Sequence, residues 1–152
     1  SPETWAVADS PFQVVGHVTV ASSTVLTVEP GVEVKFDSDK VLEIEGTLVA
    51  RGTSSDKITF TSSAASPAAG DWGYIRFDDD PVGSASVPAS FDSNGDYVSG
   101  SILEHCIVEY AGSYSSDNNL PVVKNSTYVN ACTFSNNAAE NDTYQNQEPW
   151  VS

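Results

Sequence analysis

Short runs of alternating apolar and polar residues, separated by turn residues, fill the first two thirds of the chain. They read His17-Val18-Thr19-Val20, Leu26-Thr27-Val28, Val32-Glu33-Val34-Lys35-Phe36, Leu42-Glu43-Ile44, Leu48-Val49-Ala50, Ile58-Thr59-Phe60 and Ile75-Arg76-Phe77. Between them lie Glu29-Pro30-Gly31, Asp37-Ser38-Asp39-Lys40, Glu45-Gly46-Thr47, Gly52-Thr53-Ser54-Ser55-Asp56 and a Pro/Ala/Gly stretch over residues 64–70. A period of two predicts strands with one buried face. At about three to five residues each, these strands are shorter than the 5–6 residues usual in sandwiches.

The spacing carries more than the strands do. Leu26, Leu42, Ile58 and Ile75 fall at steps of 16, 16 and 17, and each opens an apolar-polar-apolar triplet. Val18, Val34 and Leu48 form a second series, at steps of 16 and 14. A repeat near 16–20 residues with two or three short strands predicts a β-solenoid, each coil stacked on the one before. On that period the chain makes about six to seven short coils. Thr27, Glu43, Thr59 and Arg76 then share one outer column, with Glu43 and Arg76 two coils apart and beyond direct pairing. An antiparallel sandwich is the alternative, and the scarcity of hairpin turns counts against it. From Ile75 to Ile102 the step is 27 residues, which places an inserted loop around 78–100. Insertions of this kind are where solenoids often carry function. Strand pattern resumes at Ile102-Leu103-Glu104-His105-Cys106-Ile107-Val108-Glu109-Tyr110, then at Val122-Val123 and at Tyr128-Val129-Asn130-Ala131-Cys132-Thr133-Phe134.

Composition fixes the class. The chain has 19 Val against 5 Leu, with 5 Ile, 6 Phe, 6 Tyr and 3 Trp. β-branched and aromatic residues suit a pleated surface, and a helical protein would invert the Val-to-Leu ratio. The class is all-β, and this apolar content argues against a disordered chain. The 152 residues make one domain's worth of sequence, so residues 1–152 are expected to form a single β-helix domain. Acidic residues number 21 and basic residues 6, a formal charge of -15. Such a surface repels phosphates and anionic lipid, which excludes nucleic-acid binding through phosphate neutralisation. No apolar run approaches the ~18 residues of a membrane helix, so no membrane insertion is expected. The chain contains no Met and starts with no signal-peptide pattern, so it is expected to be a fragment of a larger exported protein.

The run Leu26-Thr27-Val28-Glu29-Pro30-Gly31-Val32-Glu33-Val34-Lys35-Phe36 resembles the repeated coils of bacterial right-handed parallel β-helix proteins of the pectin-lyase-like superfamily. So do Glu45-Gly46-Thr47-Leu48-Val49-Ala50-Arg51-Gly52-Thr53, Asp71-Trp72-Gly73-Tyr74-Ile75-Arg76-Phe77 and Ser101-Ile102-Leu103-Glu104-His105-Cys106-Ile107-Val108-Glu109-Tyr110-Ala111-Gly112. The resemblance covers about Val14 to Asn137. It implies a right-handed parallel β-helix. It leaves activity open, because the superfamily includes polysaccharide lyases, hydrolases, adhesin passengers and domains without known activity.

Several residues could carry chemistry. Hydrolases of this fold use carboxylate clusters and lyases use a Lys or Arg base, often near Ca²⁺-binding Asp and Glu. The insertion holds Asp78, Asp79 and Asp80 at its start and Asp92, Asn94 and Asp96 further on. Asp92-Ser93-Asn94-Gly95-Asp96 matches the opening of a calcium loop, with oxygen ligands on alternate residues, and the three leading aspartates could complete the cage. Ca²⁺ is therefore the expected cofactor. Tyr97 and Leu103 stand where an EF-hand needs Gly and Glu, which rules out that motif. The competing reading of Asp92–Asp96 is a simple Asx turn. Trp72, Tyr74, Tyr97 and Tyr114 are candidate stacking residues for sugar rings, against a packing role. Cys106 and Cys132, 26 residues apart in matching contexts, are candidates for a disulfide between neighbouring coils or for a buried thiol ladder. The expected function is an extracellular structural or adhesive module, secreted or at the cell surface. It would bind polysaccharide or cell-surface glycan through a side face and the 78–100 loop. A small polysaccharide-active enzyme and an ice-binding solenoid are the alternatives. End-to-end self-association of chains is a further expectation, since solenoid ends expose unpaired backbone.

Overall fold

The computed structural model describes residues 2–78, 86–113, 122–124 and 128–138. These residues wind into five coils whose strands stack into three parallel sheets. The first coil contributes β1 (Glu3–Trp5), β2 (Phe12–Val14) and β3 (Val18–Val20), with a single 3-10 turn at Val7–Asp9 between the first two. The second contributes β4 (Val25–Val28), β5 (Glu33–Phe36) and β6 (Leu42–Ile44), and the third β7 (Thr47–Arg51), β8 (Ile58–Ser62) and β9 (Ile75–Phe77). After the insertion, which carries a small antiparallel hairpin of β10 (Ser90–Phe91) and β11 (Tyr97–Ser99), come β12 (Ile102–Glu104), β13 (Cys106–Glu109) and β14 (Val123–Lys124). Among the described residues, β15 (Val129–Asn130) and β16 (Thr133–Ser135) make the fifth coil. Sheet A runs β1-β4-β7-β12-β15, sheet B β2-β5-β8-β13-β16 and sheet C β3-β6-β9-β14.

Each strand turns alternate residues inward, and these residues stack in columns along the bore. Val28 lies on Ala50, then Leu103, then Val129. Val34 lies on Phe60, Val108 and Phe134, and Leu42 on Ile75 and Val123. Nearly all of these side chains are lost to solvent, and at about 25 cal/mol per Å² their burial is the main force holding the coils together. Backbone groups at the corners are satisfied between coils as well, for example Thr59 N–H to Val32 O at 3.0 Å and Leu103 N–H to Tyr128 O at 3.1 Å.

The 16-residue step is not the coil repeat. Leu26 faces Leu48, Val18 faces Leu42 and Val34 faces Phe60, so uninterrupted coils take 22, 24 and 26 residues. Strands recur about every eight residues, and three of them close a coil. A 16-residue step therefore hops two strands, into a different sheet: Leu26 is in sheet A, Leu42 in sheet C and Ile58 in sheet B. The longer repeat gives five coils among the described residues. It also dissolves the column Thr27, Glu43, Thr59 and Arg76. Only Glu43 and Arg76 share a column, and they are direct neighbours rather than two coils apart.

The insertion sits where the broken period placed it, between β9 and β12. It returns along the sheet A wall: Val87 N–H donates to Gly46 O at 3.1 Å and Ser101 N–H to Val87 O at 2.8 Å. Ile102, outward in register with Val49, is 1% exposed there, outside the main core cluster. A second excursion, residues 63–74, precedes β9 and carries Trp72 into the core.

Candidate functional site

The outer column of sheet C reads Thr19, Glu43, Arg76 and Lys124. Parallel in-register strands hold these positions about 4.8 Å apart, so a side chain that is outward in one coil meets the outward one in the next. Arg76 Nε donates to Glu43 Oε2 at 2.7 Å. The Tyr74 hydroxyl donates to the other oxygen, Oε1, at 3.3 Å. Lys124 Nζ sits 3.7 Å from the centroid of the Tyr74 ring, in cation–π range. The hydrogen bond to Glu43 raises the Arg76 guanidinium above its ordinary value, against the opposing effect of partial burial. His17, Val41, Glu43 and Tyr74 line an open cleft of about 380 Å³ on this wall. One strip of surface thus combines an aromatic ring, a fixed carboxylate and two cations.

A second polar column lies on sheet A, where Arg51, Glu104 and Asn130 are in register. Arg51 Nε bonds Glu104 Oε1 at 3.1 Å, and Asn130 Nδ2 bonds Glu104 Oε2 at 3.3 Å. The Arg51 guanidinium lies 4.6 Å from the Tyr97 ring centroid, and the Tyr97 hydroxyl donates to Gly100 O at 2.6 Å. Partial burial pushes the Tyr97 phenol up, and the Arg51 charge works against that. This column ties the insertion to the wall.

The residues singled out from sequence separate in the structure. Tyr74 lies in the sheet C cleft, whereas Tyr97 lies against Arg51 of sheet A. Trp72 is no platform for a sugar. It is 0% exposed, stacks on Phe36 at 4.0 Å and 8°, and donates from Nε1 to Glu109 O at 2.8 Å. The residues before β9 fold into the bore, so a large ring there fills the core. Tyr114, Asp79 and Asp80 lie outside the described residues. Asp78 follows β9 and its N–H donates to Ile44 O at 2.8 Å. In the hairpin, Asp92 Oδ1 accepts the N–H of Asn94 at 2.8 Å and of Asp96 at 3.0 Å, an Asx-type turn closed by Gly95 at φ 86°. Among the described residues, no three His, Cys, Asp or Glu side chains converge as a metal would need. Cys106 and Cys132 stack in neighbouring coils as free thiols.

The Glu43–Arg76–Lys124 group is what sequence reasoning missed. The signal was present in the triplets Val18-Thr19-Val20, Leu42-Glu43-Ile44 and Ile75-Arg76-Phe77, which align if every third strand is compared rather than every second.

Comparison with known proteins adds one finding. A family model described as a pectate-lyase like beta helix domain matches residues 3–119. The chain matches no curated protein and no solved structure.

Proposed function

The chain belongs to the pectate-lyase-like β-helix family, and from that premise we propose that it is a rigid extracellular module, structural or adhesive, whose sheet C wall binds glycan. The observation that carries this reading is the cleft formed by His17, Val41, Glu43 and Tyr74, with Arg76 and Lys124 beside it. Sugars offer an apolar ring face and a rim of hydroxyls. A ring face needs an aromatic surface, and hydroxyls need fixed donors and acceptors. Tyr74, Glu43, Arg76 and Lys124 supply both kinds of contact on a scaffold that does not need to rearrange. Pre-organisation of this sort reduces the ordering cost of binding. Glu43 is held on both oxygens, by Arg76 and by Tyr74, which suits a positioned acceptor. Among the described residues, no helix is long and apolar enough to cross a membrane.

A glycan array tests the proposal, with the parent, Tyr74→Ala and Glu43→Gln probed side by side. Binding by the parent that falls roughly tenfold or more in both variants, at unchanged thermal stability, supports it. The same preparations are incubated with acidic and neutral polysaccharides and the products measured. Cleavage by the parent, lost in Glu43→Gln, replaces the module with an enzyme. Binding that survives both substitutions removes the sheet C wall from the account.

A further inference from the structure

Cys106 opens β13, and Cys132 immediately precedes β16. Because Ile107 pairs with Thr133, the two cysteines occupy facing positions in adjacent coils. Cys106 continues the inward column of Ile58 and is 0% exposed, and Cys132 packs against the same core. Their surroundings repeat with the coil. Cys106 Sγ donates to Ala50 O and Glu104 O, each at 3.4 Å. Cys132 Sγ donates to Leu103 O at 3.5 Å and Asn130 O at 3.3 Å. Ala50 faces Leu103 and Glu104 faces Asn130, so the second thiol is the first displaced by one coil. Facing residues on parallel strands lie about 4.8 Å apart, inside the ~4.4–6.8 Å that a disulfide spans between Cα atoms. Both cysteines are free thiols in this structure.

We propose that Cys106 and Cys132 are an oxidisable pair, and that their disulfide clamps the fifth coil to the fourth. The clamp falls at one end of the described solenoid. Among the described residues, β15 and β16 are two and three residues long and each pairs on one side. Earlier rungs of the same column are Val32 and Ile58, where packing alone suffices.

The oxidant is a small-molecule disulfide. Cys132, the more accessible thiol, loses its proton and its sulfur attacks one sulfur of that disulfide. A mixed disulfide forms, and one thiol leaves carrying a proton. The Cys106 sulfur then loses its proton and attacks the Cys132 sulfur, releasing the second thiol. Two protons and two electrons pass from the pair to the oxidant. The order follows from burial. Desolvation pushes the Cys106 thiol up, while the contact with Cys106 holds that of Cys132 below its ordinary value.

The protein is incubated with oxidised glutathione and mapped by non-reducing peptide mass spectrometry. The expected product is an intramolecular Cys106–Cys132 link, two hydrogens lighter than the reduced chain, with Tm raised by roughly 5 °C and restored by dithiothreitol. Cys106→Ala should stop at a glutathione adduct on Cys132. In folded Cys132→Ala, Cys106 should react at least roughly tenfold more slowly. Glutathione adducts on both cysteines of the parent without a link, a link that lowers Tm, or two thiols inert in the folded parent would each overturn the proposal. The parent's own map decides even where a variant does not fold.

Discussion

Glu43 and Arg76 are 33 residues apart in the chain and one coil apart in space, with Arg76 Nε 2.7 Å from Glu43 Oε2. The pair stands on the wall of the solenoid, with the Arg76 side chain 42% exposed. Water competes for both charges, so the attraction is worth far less than the short distance suggests. A double-mutant cycle with Glu43→Gln and Arg76→Gln should return a coupling of about 0.2–1 kcal/mol, falling as salt is raised. Urea unfolding at low and high salt measures it. A coupling of roughly 3 kcal/mol or more, insensitive to salt, would mean the pair is buried.

Trp72 is expected to behave as core. Its ring lies flat on Phe36 and its indole N–H satisfies the Glu109 carbonyl. Trp72→Ala opens a cavity and removes that hydrogen bond, at an expected cost of about 3–5 kcal/mol. Trp72→Phe keeps the stacking and should cost less, with glycan binding unchanged. Equilibrium unfolding of both variants checks the order. A Trp72→Ala protein as stable as the parent would return Trp72 to the surface.

The parallel β-helix was legible because alternation and turn residues are local. Val34-Lys35-Phe36 declares its inward face without reference to the rest of the chain. The coil repeat was harder to read, since three strands about eight residues apart look alike, and a series such as Leu26, Leu42, Ile58 matches by type while crossing sheets. Excursions of unequal length, residues 63–74 and the insertion, then hide the true period. The site suffered most from this. Tyr74 was readable as a candidate stacking ring, but its partners Glu43 and Lys124 are set by register, and register was misassigned. Trp72 misled for a related reason: its burial is decided by the excursion before β9, which has no periodicity to read.

Gly46 and Gly16 should respond oppositely to the same substitution. A Cβ on Gly46 would overlap the carbonyl oxygens of Thr24 and Ala21 in the preceding coil, while one on Gly16 meets nothing within 4 Å. Gly46 N–H also donates to Val20 O at 3.0 Å, so this corner cannot move outward without losing a bond. Gly46→Ala is expected to cost about 1–3 kcal/mol, the usual penalty of overpacking. Gly16→Ala should be neutral or stabilise by about 0.4–1 kcal/mol, by restricting the unfolded chain. Thermal melts of both variants give the comparison. Equal Tm values would show that the coils are not in contact at Gly46.

Asp37 joins three successive coils, and that makes it a source of acid sensitivity. Its Oδ1 accepts Gln13 Nε2 at 2.8 Å from the coil before and Ser63 Oγ at 2.6 Å from the coil after. The Ser63 bond, then the Gln13 bond, hold the carboxyl below its ordinary value of 3.8, with a smaller contribution from the Lys40 charge and some opposition from desolvation. The folded state therefore binds this proton more weakly than the unfolded state does. The stabilisation is complete above the unfolded value and is lost as pH falls through the lower, folded one. Asp37→Asn removes the charge and keeps the shape. It should lower Tm at neutral pH, and the gap to the parent should close as pH drops below 3.8. Ser63→Ala, which deletes the larger cause, should shift the parent's acid transition in the same direction by a smaller amount. Tm measured against pH for the three proteins checks both points. Parallel curves down to the acid limit would show that Asp37 titrates alike in the folded and unfolded chain, and that its two bonds do not favour the carboxylate.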